Sequence, residues 1–232
     1  MESSPGRLSP GQLPTGPDHW VRWHQQYDEA GSSLRRRLEI VSHRLRQALD
    51  AAPPGPLKLV SMCAGEGRDV LGVLPDHPRR DDVAARLVEL DPHLAAAARE
   101  QADAAGLSSV EVAEGDASST SAYAGMVPAD IVLVCGVFGN VPDEDVCATV
   151  SELPHLCAPG ATVIWTRHRM APDLTPTIRG WFADAGFEEI AFDAEQPYLF
   201  GVGTARFMGT PAPFRPGRTM FTFRGDGAAA TR

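Results

Sequence analysis

Leu34, Leu38, Val41, Leu45 and Leu49 recur at spacings of three and four. That period predicts the apolar stripe of an amphipathic helix, and Pro53-Pro54-Gly55 stops it. The pattern then alternates. Leu57–Met62 is a short apolar run that predicts a strand, and Asp69–Leu74 opens a helix. A second strand lies within Asp82–Leu90, followed by an alanine-rich helix over Pro92–Ala105 that Gly106 ends. Further strands are predicted at Val110–Ala113, Ile131–Val134 and Ala161–Thr166. Helices are predicted at Asp143–Leu156, ended by Pro159-Gly160, and at Thr175–Ala185, stopped by Gly186. Only strand-like pieces follow: Glu189–Asp193, Leu199–Phe207 and Thr219–Arg224. Strands alternating with helices predict parallel βαβ units and an α/β, doubly wound sheet. The terminal pieces have no helix between them, which predicts antiparallel strands at one sheet edge.

Composition narrows the reading only slightly. The chain has 232 residues, 43% hydrophobic and 22% charged, as in ordinary globular domains. Its longest apolar runs are too short to span a bilayer. The N-terminal MESSPGRLSPGQLPTGPD lacks an apolar signal core, so a cytoplasmic protein is expected. Residues 1–18 read as a disordered tail and 19–56 as a helical cap or lid. Residues 57–226 read as one Rossmann-like domain. A net charge of -9 argues against nucleic-acid or membrane-surface partners, which favour basic faces. Cys63, Cys135, Cys147 and Cys157 form no CxxC pair and no metal spacing, so no metal is expected.

The candidate chemistry begins at Leu57–Asp69, LKLVSMCAGEGRD. Ligands of open α/β sheets bind beyond the carboxyl ends of the strands, and the first βα turn is where a nucleotide commonly sits. Gly65 and Gly67 allow close backbone approach there. The second strand ends in Glu89-Leu90-Asp91, with Glu89 22 positions after Gly67. That is close to the roughly 20-residue spacing of a ribose-binding carboxylate. The third strand ends in Glu114-Gly115-Asp116-Ala117, where a carboxylate can accept a hydrogen bond from an adenine amine. A dinucleotide fingerprint needs a third small residue; here Val70 holds that place, which disfavours NAD.

With these features in order, the chain resembles the class I S-adenosylmethionine-dependent methyltransferases over roughly residues 20–224. Their first motif, acidic-x-G-x-G-x-G, reads here Ser61-Met62-Cys63-Ala64-Gly65-Glu66-Gly67. Serine replaces the acid and cysteine the first glycine. Later motifs match at Glu89, at Asp116-Ala117, at Ala129–Gly136 and at Leu153–Gly160. The resemblance implies a mostly parallel, seven-stranded sheet with an antiparallel last strand and helices on both faces. It implies S-adenosyl-L-methionine held by Cys63, Ala64, Gly65, Gly67, Glu89, Leu90, Asp116, Ala117, Cys135 and Gly136, with Tyr27 against it from the N-terminal segment. It also implies methyl transfer, most simply to a small molecule. The alternatives are a protein that binds the cofactor without methylating and an NAD-dependent oxidoreductase on a similar fold.

Three segments are expected around the acceptor. Cys135–Val141 follows the fourth strand, with Phe138 or Asn140 near the cofactor or in an ordinary turn. Thr166–Asp173 carries Arg167 and Arg169, candidates to bind an anionic acceptor, and His168, a candidate general base. The same arginines could instead brace their loop against Asp173 or Glu144. In Trp20–Tyr27, the tryptophans read as docking residues. Gly201-Val202-Gly203 is not followed by a helix pattern and so predicts no second nucleotide site. No G-x-S-x-G elbow supports a serine hydrolase.

Overall fold

The computed structural model describes residues 31–223. The expected tail, the first part of the expected cap and the candidate Tyr27 lie outside the described residues, as do Trp20 and Trp23. Helix α1 (Ser33–Ala51) starts where the Ser32 side chain accepts the Arg35 N–H at 3.1 Å. It buries Ile40, Val41, Leu45, Ala48 and Leu49. Leu34 and Leu38, at the start of the predicted stripe, are only half-buried. Strands β1 (Leu57–Met62), β2 (Val83–Glu89), β3 (Val110–Glu114), β4 (Ala129–Val134), β5 (Cys157–His168), β6 (Phe187–Asp193) and β7 (Phe200–Phe207) form one sheet. Helices α2 (Pro92–Ala104), α3 (Asp143–Glu152) and α4 (Thr175–Asp184) connect them.

The strand order is β3-β2-β1-β4-β5-β7-β6. All pairs are parallel except β5–β7 and β6–β7. Alternate residues of each central strand enter opposite layers. Val60, Met62, Val132, Val134, Val163 and Trp165 pack in the layer of α3 and α4, with Val146, Val150, Ile178 and Phe182. Leu57, Leu59, Ile131, Leu133 and Ile164 pack in the layer of α1 and α2, with Leu45, Ala95 and Ala98. Burial on both faces explains why these strands read as continuous apolar runs. Two bidentate pairs pin α1 across the far edge of the sheet. Arg36 grips Glu195 at 2.8 and 2.7 Å, and Arg44 grips Asp193 at 2.7 and 2.6 Å. Among the described residues no helix is long and apolar enough to cross a membrane.

Four elements depart from the sequence pattern. The helix expected from Asp69 is a series of turns leading to a single 3-10 turn at Leu74–Asp76. Pro75 offers no N–H and restricts Leu74, and Gly72 lies so close to the Arg68 carbonyl that a Cβ would sit 2.5 Å away. The helix expected to reach Leu156 ends at Glu152 and tightens into a 3-10 turn around Pro154. Strand β5 starts before Pro159-Gly160 and absorbs them in an irregularity opposite Ala129 and Ile131. Thr219 to Phe223, read as strand, makes one bridge, Ser119 with Thr219. Its neighbour there runs into the 3-10 turn Thr120–Tyr123, which offers no extended edge for a second rung.

Trp165 stacks on Phe182 with ring centroids 5.6 Å apart and lies against Gly203 of the neighbouring β7. A Cβ on Gly203 would meet the indole at 2.1 Å. We predict that Gly203→Ala destabilises the fold by about 2 kcal/mol or more, lowering the thermal midpoint by several degrees. An unchanged midpoint would contradict this packing.

Candidate active site

The sheet reverses its winding between β1 and β4, so the connections from these strands leave in opposite directions and open a crevice at their carboxyl ends. The turn after β1 floors it. Cys63, Gly65 and Gly67 all take positive φ, at 52°, 58° and 69°. A cysteine in this region is strained by roughly 1–2 kcal/mol; it occupies the place where the motif carries glycine. Gly67 is fixed by packing as well, because a Cβ would lie 2.7 Å from Leu87 and 2.9 Å from Leu71. The turn closes on itself through Gly67 N–H to the Ala64 carbonyl at 2.8 Å and on β2 through Ala64 N–H to the Val88 carbonyl at 3.0 Å.

Glu89 organises the next element. Its Oε2 accepts the Gly65 N–H at 2.7 Å, and its Oε1 accepts the Asp91 N–H at 2.9 Å. Only 8% of the residue is exposed. Burial raises its carboxyl above the ordinary range, opposed by the amides of Asp91, Gly65 and Leu90. Each oxygen keeps a second lone pair for a ligand hydroxyl. Asp91 then caps α2, accepting from His93 and Leu94. At the end of β3, Asp116 is exposed and its Oδ1 accepts the Ser118 N–H at 2.8 Å.

These elements enclose a cavity of about 360 Å3, in the size range of small-molecule sites. Cys63, Ala64, Gly65, Glu89, Leu90, Asp116, Ala117, Cys135 and Gly136 all line it. Gly67 sits behind the turn, outside the lining. A Cβ on Gly136, with φ 80°, would meet no atom of the described residues within 4 Å. Burial pushes the Cys63 and Cys135 thiols up, so both stay protonated near neutral pH and neither is a ready nucleophile. Among the described residues no cluster could hold a metal ion.

The arginine segment lies elsewhere. Arg167, His168 and Arg169 do not line the cavity. Arg167 is 6% exposed and donates to the Phe138 carbonyl and, at 3.4 Å, to Asp143. Arg169 donates to Asp173 at 3.0 Å. The bracing alternative therefore describes both guanidiniums, with Asp143 rather than Glu144 as the partner of Arg167. His168 lies beside Gly139. Phe138 is fully buried beside Trp165, and Asn140 donates to the Gly136 carbonyl at 2.6 Å.

Among the lining residues that the sequence did not assign to the site are Arg37, Asp69 and Phe223. Arg37 sits on the flank of the α1 stripe. Asp69 was visible in the opening motif but passed for the start of a helix. Phe223 had no local signal. It reaches the cavity because Met220 N–H bonds the Ser118 carbonyl at 2.9 Å and Thr222 N–H bonds Asp145 at 2.7 Å, strapping this segment beside Asp116.

A carboxylate poised for hydroxyls at β2, a second at β3, a glycine turn and apolar walls from Leu90, Leu94 and Phe223 suit an adenosine-type ligand. With this strand order and antiparallel β7, they define a class I methyltransferase fold. The chain belongs to the family described as "Putative methyltransferase", which matches residues 24–185. Solved structures agree in fold. An O-methyltransferase family protein from Burkholderia thailandensis is 20% identical with a TM-score of 0.59, over 81% of this chain and 57% of that one. The chain therefore spans little more than half of that relative. Magnesium protoporphyrin IX methyltransferase from Synechocystis, with bound SAM, is 15% identical with a TM-score of 0.61, over 81% of this chain and 90% of that one. The [4+2]-cyclase SpnF is 15% identical with a TM-score of 0.55, over 78% and 82%. No curated protein matches the sequence.

Asp69 generates a stability prediction. Burial raises its carboxyl from the ordinary 3.8 to about 6, opposed by the Val70 amide and the charge of Arg37. The fold thus holds a proton that the unfolded chain releases. This contribution is full below the unfolded value and is lost as pH rises through about 6. At neutral pH the ionised group costs up to about 3 kcal/mol. Without ligand, Asp69→Asn is expected to melt several degrees above wild type at pH 8 and to lose that advantage at pH 4. Equal midpoints at both pH values would contradict a buried, ionisable Asp69.

Proposed function

We propose that this chain transfers a methyl group from S-adenosylmethionine to a small-molecule acceptor. The carrying observation is the buried Glu89 at the cavity floor, with lone pairs available beside the glycine turn. The residues present fit the cofactor: Glu89 accepts from the ribose hydroxyls, Asp116 accepts from the adenine amine, and Leu90 and Ala117 lie against the base. The cofactor supplies an activated methyl on a sulfonium. The chain holds it and, among the described residues, leaves space over Gly136 for the acceptor. Proximity is the main catalytic contribution these residues offer. His168 remains the candidate base for an acceptor that reaches past Gly136 toward Gly139. Anionic groups on that acceptor would meet Arg169, whose side chain keeps 31% exposure, before the buried Arg167.

The reading of a cofactor-binding protein without methyl transfer draws on the departures at Ser61 and Cys63 and on a relative of the same fold that is a cyclase. Transfer of labelled methyl from S-adenosylmethionine into a panel of small molecules separates the two. For the site itself, Glu89→Gln removes one charge-assisted acceptor, so S-adenosylhomocysteine affinity should fall roughly ten- to a hundredfold with the thermal midpoint within a few degrees of wild type. Unaltered affinity would remove Glu89 from the site.

A further inference from the structure

The first turn lacks the acid its motif would supply, and the structure closes that position off. Ser61 is 1% exposed, on the Leu59 side of β1 and outside the cavity lining. A carboxylate does line the cavity eight residues later, at Asp69, and Arg37 of α1 lines it too. Both fall where the nucleoside end is not. The candidate nucleoside contacts, Asp116 and Glu89, stand at β3 and β2. Asp69 stands toward β4, close enough to Cys135 for its charge to bear on that thiol. The charge of Arg37 in turn bears on Asp69.

We propose that Asp69 and Arg37 together hold the zwitterionic α-amino-acid end of the cofactor, Asp69 taking its ammonium and Arg37 its carboxylate. The inference rests on the cofactor reading above. An ammonium drawn out of water needs a carboxylate partner, and a ligand carboxylate needs a guanidinium. A zwitterion needs both side by side, which a nucleoside alone does not. A buried carboxyl that destabilises the free protein when ionised then gains its counter-charge from the ligand.

Among the described residues, the charged and titratable groups that share the cavity with Asp69 are Arg37 from α1, Cys63, Glu66 and Arg68 from its own loop, Glu89 and Asp91 from the end of β2, Asp116 after β3 and Cys135 after β4. Glu89 also titrates, so the test needs a ligand that uses Glu89 but not Asp69. S-adenosylhomocysteine carries the amino-acid end; 5′-deoxy-5′-methylthioadenosine is the same nucleoside thioether without it. Calorimetric titration of wild type, Asp69→Asn and Arg37→Met with both ligands from pH 5 to 8 separates the roles. The expected wild-type result is S-adenosylhomocysteine affinity falling about tenfold between pH 8 and pH 5, as protonation removes the ionised Asp69. The methylthioadenosine affinity should fall less. Either substitution should weaken S-adenosylhomocysteine at least tenfold and leave methylthioadenosine within about twofold, and Asp69→Asn should also flatten the difference in pH dependence. Equal losses for both ligands in a variant would mean a structural role and overturn the assignment. So would no loss for either. If wild type binds neither ligand, the cofactor reading fails and this assignment falls with it.

Discussion

Glu89 joins the two halves of the site. One carboxylate oxygen holds the amide of Gly65 on the turn after β1, and the other holds the amide of Asp91 at the start of α2. Those two bonds fix the turn relative to the second strand and hold the carboxylate at the cavity floor. The glycine turn depends on this tie. Its left-handed residues at 63, 65 and 67 are individually unfavourable or entropically costly conformations, which persist because the surroundings determine them. A carboxylate carrying two backbone amides keeps capacity for a ligand, so the strut of the turn is also the receptor in the proposed reading.

The electrostatics divide along the strand edge. Glu89 and Asp69 are both buried with raised carboxyls, whereas Arg167 and Arg169, away from the cavity, already have carboxylate partners. The two raised carboxyls line the cavity, and the two guanidiniums outside it meet Asp143 and Asp173. This arrangement favours ligand binding over the stability of the free protein, a trade common at functional sites.

Most of the fold was legible because strands buried on both faces leave apolar runs, and helices between them leave a longer period. Proline and glycine then set where those elements stop, and their effects extend further than the pattern suggests. Pro75 with Gly72 denied the helix after the first turn, and Pro154 shortened α3. The cavity was legible at the strand ends, since Gly65, Glu89 and Asp116 follow directly from βαβ geometry. Arg37 and Phe223 were not, because their positions depend on how α1 and the segment after β7 fold back over the sheet. The arginines at 167 and 169 stood out by their charge at the carboxyl end of β5, and that position does not distinguish a ligand-binding guanidinium from a bracing one.

In the proposed reading, the crevice beyond β1 and β4 binds S-adenosylmethionine. The most direct measurement is calorimetric titration of the wild-type protein with S-adenosylhomocysteine and, in parallel, with NAD. Micromolar binding of S-adenosylhomocysteine with no heat from NAD is expected. Binding of NAD alone would contradict it and turn the same carboxylate at Glu89 into the ribose anchor of an oxidoreductase.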